Sequence, residues 1–201
     1  ILLPIGLSFH TFQAMSYTIE VYRGHHKAER HFGIYALYVM FYPQLVAGPI
    51  ERPQNVLHQF HEKKYFNYDN LFQGLKFMII GLFKKVVIAD RISAMVDTVY
   101  NDPTQFTGIP VLIATILFSI QIYCDFSGYS DIAIGAAKIM GFELMDNFRV
   151  PYYSKSISEF WKRWHISLST WFRDYLYIPL GGNKVAKHRW YFNLFFTFLV
   201  S

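Results

Sequence analysis

The 201-residue chain has a single cysteine, Cys124, and few charged residues. One cysteine excludes an internal disulfide framework and any cysteine-rich zinc module. Charged residues make up 16% of the chain, well under the roughly 25% of soluble domains. There is no internal repeat, low-complexity tract or flexible linker. No serine sits in a Gly-x-Ser-x-Gly elbow, because Phe126-Ser-Gly-Tyr-Ser130 does not fit that pattern. The chain opens on Ile1 with no charged n-region, so there is no signal peptide to read. It ends inside an apolar run, Trp190 to Ser201, so residues 1–201 are expected to be an internal fragment of one longer membrane domain. What the chain does have is apolar bulk: 53% hydrophobic residues, with 20 Phe, 15 Tyr and 4 Trp. That excludes intrinsic disorder and collagen-like or mucin-like chains. The net charge of +5, in so apolar a chain, suits loops at an anionic leaflet better than nucleic acid.

Spanning helices need about 20 mostly apolar residues, and four windows approach that. Ile1–Val21 contains Ser8, His10, Gln13 and Ser16. Phe32–Ile50 is interrupted by Pro43, Gly48 and Pro49. Leu71–Ala89 contains Lys76, Lys84 and Lys85. Ile109–Gly141 is divided by Asp125-Phe-Ser-Gly-Tyr-Ser-Asp131. Polar side chains at membrane depth are costly and normally face a bundle interior or a wet cavity. Irregular backbone there is tolerated only under protein or water, so Phe32–Ile50 reads as a re-entrant or broken element. Gly128 likewise reads as a break between two shorter helices. Asp125 and Asp131 then read as packing or capping residues of the broken helix. The basic Arg23–His31 segment leans cytoplasmic, and Asp97–Gly108, without Lys or Arg, leans outward.

The segment richest in chemistry runs from Asn147 to Asn183. Ser156-x-x-Glu159 is a capping box, which predicts a helix from Ile157. From there Trp161, Trp164/His165, Leu168 and Trp171/Phe172 recur at helical spacing as one aromatic stripe, with Lys162, Arg163, Ser169 and Arg173 mostly off it. Such a basic amphipathic helix lies in a membrane interface. Pro179 and Gly181-Gly182 end it in a turn. His165, on or beside the stripe, suits a general base, since an imidazole in a desolvated pocket titrates near the working pH. Position alone, however, favours a structural histidine. The remaining histidines are weaker candidates. His25, His26 and His31 lack companion ligands, and His58, His61 and Glu62 make at best half a metal site, so no metal is expected.

Ser158 to Asn183, with its Trp164-His-Ile-Ser-Leu-Ser169 core and its Tyr177-Ile-Pro-Leu-Gly-Gly-Asn183 end, resembles the signature of the membrane-bound O-acyltransferases, in particular their bacterial alginate O-acetyltransferase branch. Pro4–Gln13, Phe41–Ile50 and Gln121–Asp131 resemble the same branch in the same order, although His10 stands where that branch often has an aromatic. The resemblance implies an all-α, polytopic membrane protein, with transmembrane and re-entrant helices ringed around a thin centre and a funnel on each side. It implies transfer of an acetyl group from a cytoplasmic donor, acetyl-CoA, to hydroxyls of an exported envelope polysaccharide such as alginate, across a bacterial inner membrane and with no bound cofactor. Membrane lipids, and a periplasmic acetyltransferase completing delivery, are the implied partners. His165 matches the first of the family's two histidines. The second is expected in a Trp-His-Gly motif just after Ser201, and is the better candidate for the base, with His165 orienting or activating the donor. Trp171, Arg173 and Tyr175 are candidates for guiding the donor, although Arg173 is equally suited to pairing with Asp174.

Two alternatives remain open. The related D-alanyl transfer branch, which acts on teichoic acid, shares the Trp-His-x-Ser-Leu-Ser segment but does not usually continue as Tyr-Ile-Pro-Leu-Gly-Gly-Asn. A transporter or channel also uses broken helices and polar residues at mid-membrane, but it predicts a two-fold internal symmetry that the sequence does not show. A purely structural scaffold gives no reason for the buried polar residues.

Overall fold

A computed structural model describes residues 7–45, 48–102 and 104–201, and every regular element among them is helical. Residues 1–6, which open the first apolar window and hold the start of the Pro4–Gln13 motif, lie outside them. The chain divides into two compact units, Ile1–Met145 and Asp146–Ser201.

In the first unit, α1 (Leu7–Tyr22) and α2 (Phe32–Val39) are followed by a single 3₁₀ turn, Tyr42–Gln44. His31 caps α2, its Nδ1 accepting from the amide of Ile34. Phe32–Ile50 is therefore broken, as its prolines predict, and α2 is far too short to span a membrane. The short α3 (Pro53–Val56) runs into a 3₁₀ segment, Leu57–His61. Asn67 then caps α4 (Tyr68–Leu82), which continues through a π-helical stretch, Phe83–Ala89, into α5 (Asp90–Tyr100). After a loop, α6 (Ile109–Ile139) runs for 31 residues without interruption, or about 46 Å at 1.5 Å per residue. Among the described residues it is the helix long and apolar enough to cross a membrane.

The uninterrupted α6 corrects the expected break at Gly128, whose role is close approach. A Cβ on Gly128 would sit 2.7 Å from the Gly81 carbonyl oxygen, and one on Gly81 would sit 2.5 Å from that of Gly128. One turn-pair away, Gly135 and Gly74 stand in the same relation, at 2.5 and 2.6 Å. Four glycines spaced by seven on antiparallel helices let the backbones of α4 and α6 touch, the small-residue packing of membrane helices. The polar side chains of this pair then meet each other. Lys84 Nζ lies 2.6 Å from Asp131 Oδ2, and Lys85 Nζ lies 2.6 Å from Asp125 Oδ1 and 2.8 Å from Asp90 Oδ1. The π-helical stretch carries both lysines, and π-bulges of this kind often mark functional sites.

The beginning and end of the first unit are latched by buried polar groups. Glu51 is fully buried. Its Oε2 accepts from Asn55 Nδ2 at 3.2 Å, and its Oε1 accepts from the Met145 amide. The Tyr38 hydroxyl donates to its carbonyl at 2.8 Å. Gln59 bonds both the amide and the carbonyl of Glu143, beside a triad of Phe41, Phe60 and Phe142 with centroids 5.1–5.2 Å apart.

The second unit contains a 3₁₀ turn, Pro151–Tyr153, then α7 (Ile157–Trp161), α8 (Ile166–Phe172), a π-helical turn Arg173–Tyr177, and α9 (Lys187–Val200). Ser156 Oγ accepts from the Glu159 amide at 3.1 Å, and the Glu159 carboxylate reaches back to the Lys155 amide at 2.9 Å. The capping box thus starts α7 where the sequence predicts it. The continuous amphipathic helix that was expected to follow is absent, because α7 stops after Trp161 and the chain turns before α8.

The glycine contacts give a prediction of definite sign. If Gly128 were a break, Gly128→Ala would stabilise the helix by roughly 1 kcal/mol. As a close-approach residue it should instead cost about 1–3 kcal/mol, read as a lower melting temperature of the detergent-solubilised protein. A higher melting temperature would contradict the contact.

Candidate functional site

Within the second unit, His165 is the last residue before α8 and adopts a left-handed conformation, φ 42° and ψ 56°. Only one other non-glycine residue among those described has positive φ, Val150 at 46°. Histidine enters this region more readily than most residues, while a β-branched valine is a clear outlier there, and such backbone persists only where its surroundings enforce it.

The enforcement is visible. The carbonyl of Asn147 accepts from the Ile166 amide at 2.9 Å, and the amide of Arg149 donates to the Arg163 carbonyl at 2.9 Å. Residues 147–149 thus strap both sides of the turn that carries His165. Asn147 itself is 1% exposed. Its Oδ1 accepts from the Ser167 hydroxyl at 2.9 Å and the Ser167 amide at 3.3 Å. The Ser169 amide in turn donates to the His165 carbonyl at 2.9 Å, starting α8.

His165 forms part of the wall of a cavity of about 450 Å³ lined mostly by aromatic and aliphatic side chains: Trp161 from the end of α7, Trp164, Leu168 and Phe172 from the turn and α8, Tyr177 after it, and Leu194 and Phe198 from α9. The volume is in the range that holds small-molecule ligands. His165 as a whole is half-buried, but its Nε2 is covered. Burial lowers its pKa to about 4, which leaves the imidazole neutral through the physiological range, with one ring nitrogen a donor and the other an acceptor.

The other candidates from the sequence divide. Arg173 lines the cavity, and its Nε lies 2.7 Å from Asp174 Oδ1 and its Nη2 3.2 Å from Oδ2. Trp171 and Tyr175 are buried, with ring centroids 5.0 Å apart, and neither lines the cavity. They sit behind α8 as packing. Missing from the sequence reading were Asn147 and Asn193. Asn193 is 1% exposed; its Nδ2 donates to the carbonyls of Leu180 and Gly182, both at 3.1 Å. It pins the Pro179–Asn183 turn to α9, helped by a 2.9 Å bond from Trp190 Nε1 to Tyr177 Oη. The one signal for Asn193 was a polar residue inside an apolar run; Asn147, between Asp146 and Arg149, gave none. The remaining histidines serve locally: His25 lies 3.1 Å from Glu20, and His61 lies 2.7 Å from Glu29. Among the described residues no three potential metal ligands gather.

Comparison with known proteins bears directly on this segment. The family description of the membrane-bound O-acyltransferases matches residues 7–201. The chain belongs to the membrane-bound O-acyltransferase family. Among curated relatives, it is 46% identical over 201 residues to the probable alginate O-acetylase AlgI of Pseudomonas aeruginosa, covering 100% of this chain and 38% of that protein. It is 39% identical over 227 residues to the peptidoglycan O-acetyltransferase of Helicobacter pylori, covering 100% of this chain and 43% of that one. It is 32% identical over 199 residues to the teichoic acid D-alanyltransferase of Streptococcus thermophilus, covering 92% of this chain and 47% of that one. The chain thus spans less than half the length of these acyltransferases. The family assignment agrees with the resemblance carried by Ser158–Asn183.

The burial of His165 makes stability depend on pH. The folded ring takes up its proton only near pH 4, and the unfolded one near 6.5. Between those values the unfolded chain binds more protons, so stability falls as pH falls. The melting temperature of the wild type should therefore drop more steeply from pH 6.5 to 4 than that of His165→Gln. Parallel curves would contradict the burial.

Proposed function

We propose that the full-length protein is a multi-pass enzyme of the bacterial inner membrane that transfers acetyl groups from a cytoplasmic donor, acetyl-CoA, toward hydroxyls of an exported envelope polysaccharide such as alginate. Residues 1–201 would be part of a single larger membrane domain whose helices ring a central funnel. The observation that carries the reading is the placement of His165: a ring held neutral at the wall of an apolar cavity, within the segment shared with relatives named as O-acetylases. The 32% match to a D-alanyltransferase supports the same chemistry with a different acyl group less strongly than the 46% match supports acetylation. Broken helices and paired charges are equally available to a transporter, and it is the family match that favours acyl transfer.

In this reading the acyl thioester enters the cavity beside Leu168 and Phe198, and the acceptor hydroxyl meets its carbonyl carbon. As the C–O bond forms the C–S bond breaks, and a positioned imidazole takes the hydroxyl proton and passes it to the departing thiolate, a transfer worth roughly 10²–10⁴-fold in rate. A second histidine, expected after Ser201, would serve as this base, while His165 orients or polarises the acyl carbonyl. The apolar lining excludes the water that would otherwise hydrolyse the activated ester. Arg173, fixed by Asp174, would line the donor's path, and Trp171 and Tyr175 would support α8 from behind. Lipids surround the domain, and a periplasmic acetyltransferase partner would complete delivery to the polymer. No metal or bound cofactor enters the scheme.

In the full-length protein, His165→Ala should reduce acetyl content of the secreted polysaccharide by about 10²-fold or more at matched membrane protein level. Lys162→Ala, an exposed change on the same turn, should leave it within about twofold, as exposed charges contribute under ~1 kcal/mol. Wild-type acetylation by the His165 variant would refute the assignment, and D-alanyl rather than acetyl groups on the product would move it to the teichoic acid branch.

A further inference from the structure

His165 is held in its conformation by something, and the bonds around it name what. Its own side chain makes no cap for α8, and left-handed backbone does not favour histidine enough to hold without outside support. The turn is fixed instead from residues 147–149. Two of the bonds are backbone to backbone, Ile166 to Asn147 and Arg149 to Arg163, and any side chain at 147 would permit them. The two from Ser167 are different, because they converge on one side-chain oxygen of Asn147. A backbone amide can only donate, so the asparagine atom facing it must be the carbonyl oxygen. Asn147 and Ser167 are each 1% exposed, so water cannot replace the acceptor if it is removed, and the orphaned donors carry the full desolvation penalty.

We propose that Asn147 is a positioning residue: through Ser167 it holds the His165 turn left-handed and so keeps the imidazole at the wall of the apolar cavity. Resting on the acyl-transfer reading above, the proposal gives the buried asparagine a role at the reacting centre that it does not touch. Val150, the second left-handed residue, lies where the 147–149 strap leaves the turn and enters Pro151. The strap is strained at its exit and the turn at its apex, and the Asn147–Ser167 pair stands between them. Without the acceptor, the turn relaxes toward ordinary helical geometry, α7 and α8 approach continuity, and the ring leaves its place at the cavity wall.

The test uses the full-length protein in membranes, with three variants. Asn147→Leu keeps the size and removes the acceptor. Asn147→Asp keeps an acceptor oxygen. His165→Ala reports on the reaction reading alone. Two readouts are taken: kinetics of acetyl transfer, and the rate at which diethyl pyrocarbonate modifies His165, followed by mass spectrometry of its peptide. Asn147→Leu should lower kcat by about 10²-fold, the cost of a small misplacement, with KM for the donor within about threefold of wild type. Its His165 should be modified several times faster. Asn147→Asp should restore both properties toward wild type. Unchanged labelling and kcat in Asn147→Leu would overturn the proposal, and so would an Asn147→Asp variant as impaired as the leucine one. If Asn147→Leu does not accumulate, Ser167→Ala removes the 2.9 Å bond and is judged by the same two readouts. An active His165→Ala would overturn the role of His165 in the reaction, while the labelling would still decide whether Asn147 holds the turn.

Discussion

A polar group taken out of water must be answered by the protein, at a cost of several kcal/mol when it is not, and in a membrane there is no solvent to fall back on. That constraint organises both units of this chain. In the first, Lys84 and Lys85 would be difficult to place in an apolar helical run, and they are answered by Asp131 and Asp125 of α6. The helices come close enough for that pairing because four glycines let their backbones meet. Glu51 is answered by Asn55 and the Met145 amide, with the result that residues far apart in sequence are latched together. In the second unit, Asn193 answers the carbonyls of the Gly181-Gly182 turn, and Asn147 answers the donors of Ser167.

His165 follows the opposite logic. Its ring is placed where burial disfavours the charged form, so the group stays neutral. A neutral imidazole at an apolar wall is costly to hold in place. The left-handed backbone at His165 and Val150 shows strain of the kind found at functional sites. The polar partners that fix the turn lie behind it, at Asn147 and Ser167, and leave the cavity itself to Trp161, Leu168 and Phe198. The residues that line the cavity and the residues that hold the turn are thus different ones.

Much of this was legible in the sequence. Proline chemistry marked the break after α2, the capping box marked Ile157, and the Trp-His-Ile-Ser-Leu-Ser segment marked His165 and the family. Three of the features misread or missed have a plain physical reason. Gly128 looked like a helix breaker because one sequence cannot show that Gly81 lies opposite it; glycine as a hinge and glycine as a contact read alike until the partner helix is placed. The aromatic stripe from Trp161 to Phe172 keeps helical spacing straight through the turn at His165, and periodicity does not register a single left-handed residue. Arg173, Trp171 and Tyr175 are close in sequence, yet only Arg173 reaches the cavity, because Trp171 and Tyr175, four apart, share one face and Arg173, two from each, lies on the other.

In the proposed reaction the ring of His165, presented from its left-handed turn, meets the acyl group inside the apolar cavity. Electron cryo-microscopy of the full-length protein with a non-hydrolysable acyl thioester analogue measures that directly. The account predicts a positive φ at His165 and the analogue's carbonyl within hydrogen-bonding reach of the imidazole, about 3 Å, with its acyl chain against Leu168 and Phe198. A helical His165, or an analogue bound with its carbonyl outside that cavity, would contradict it.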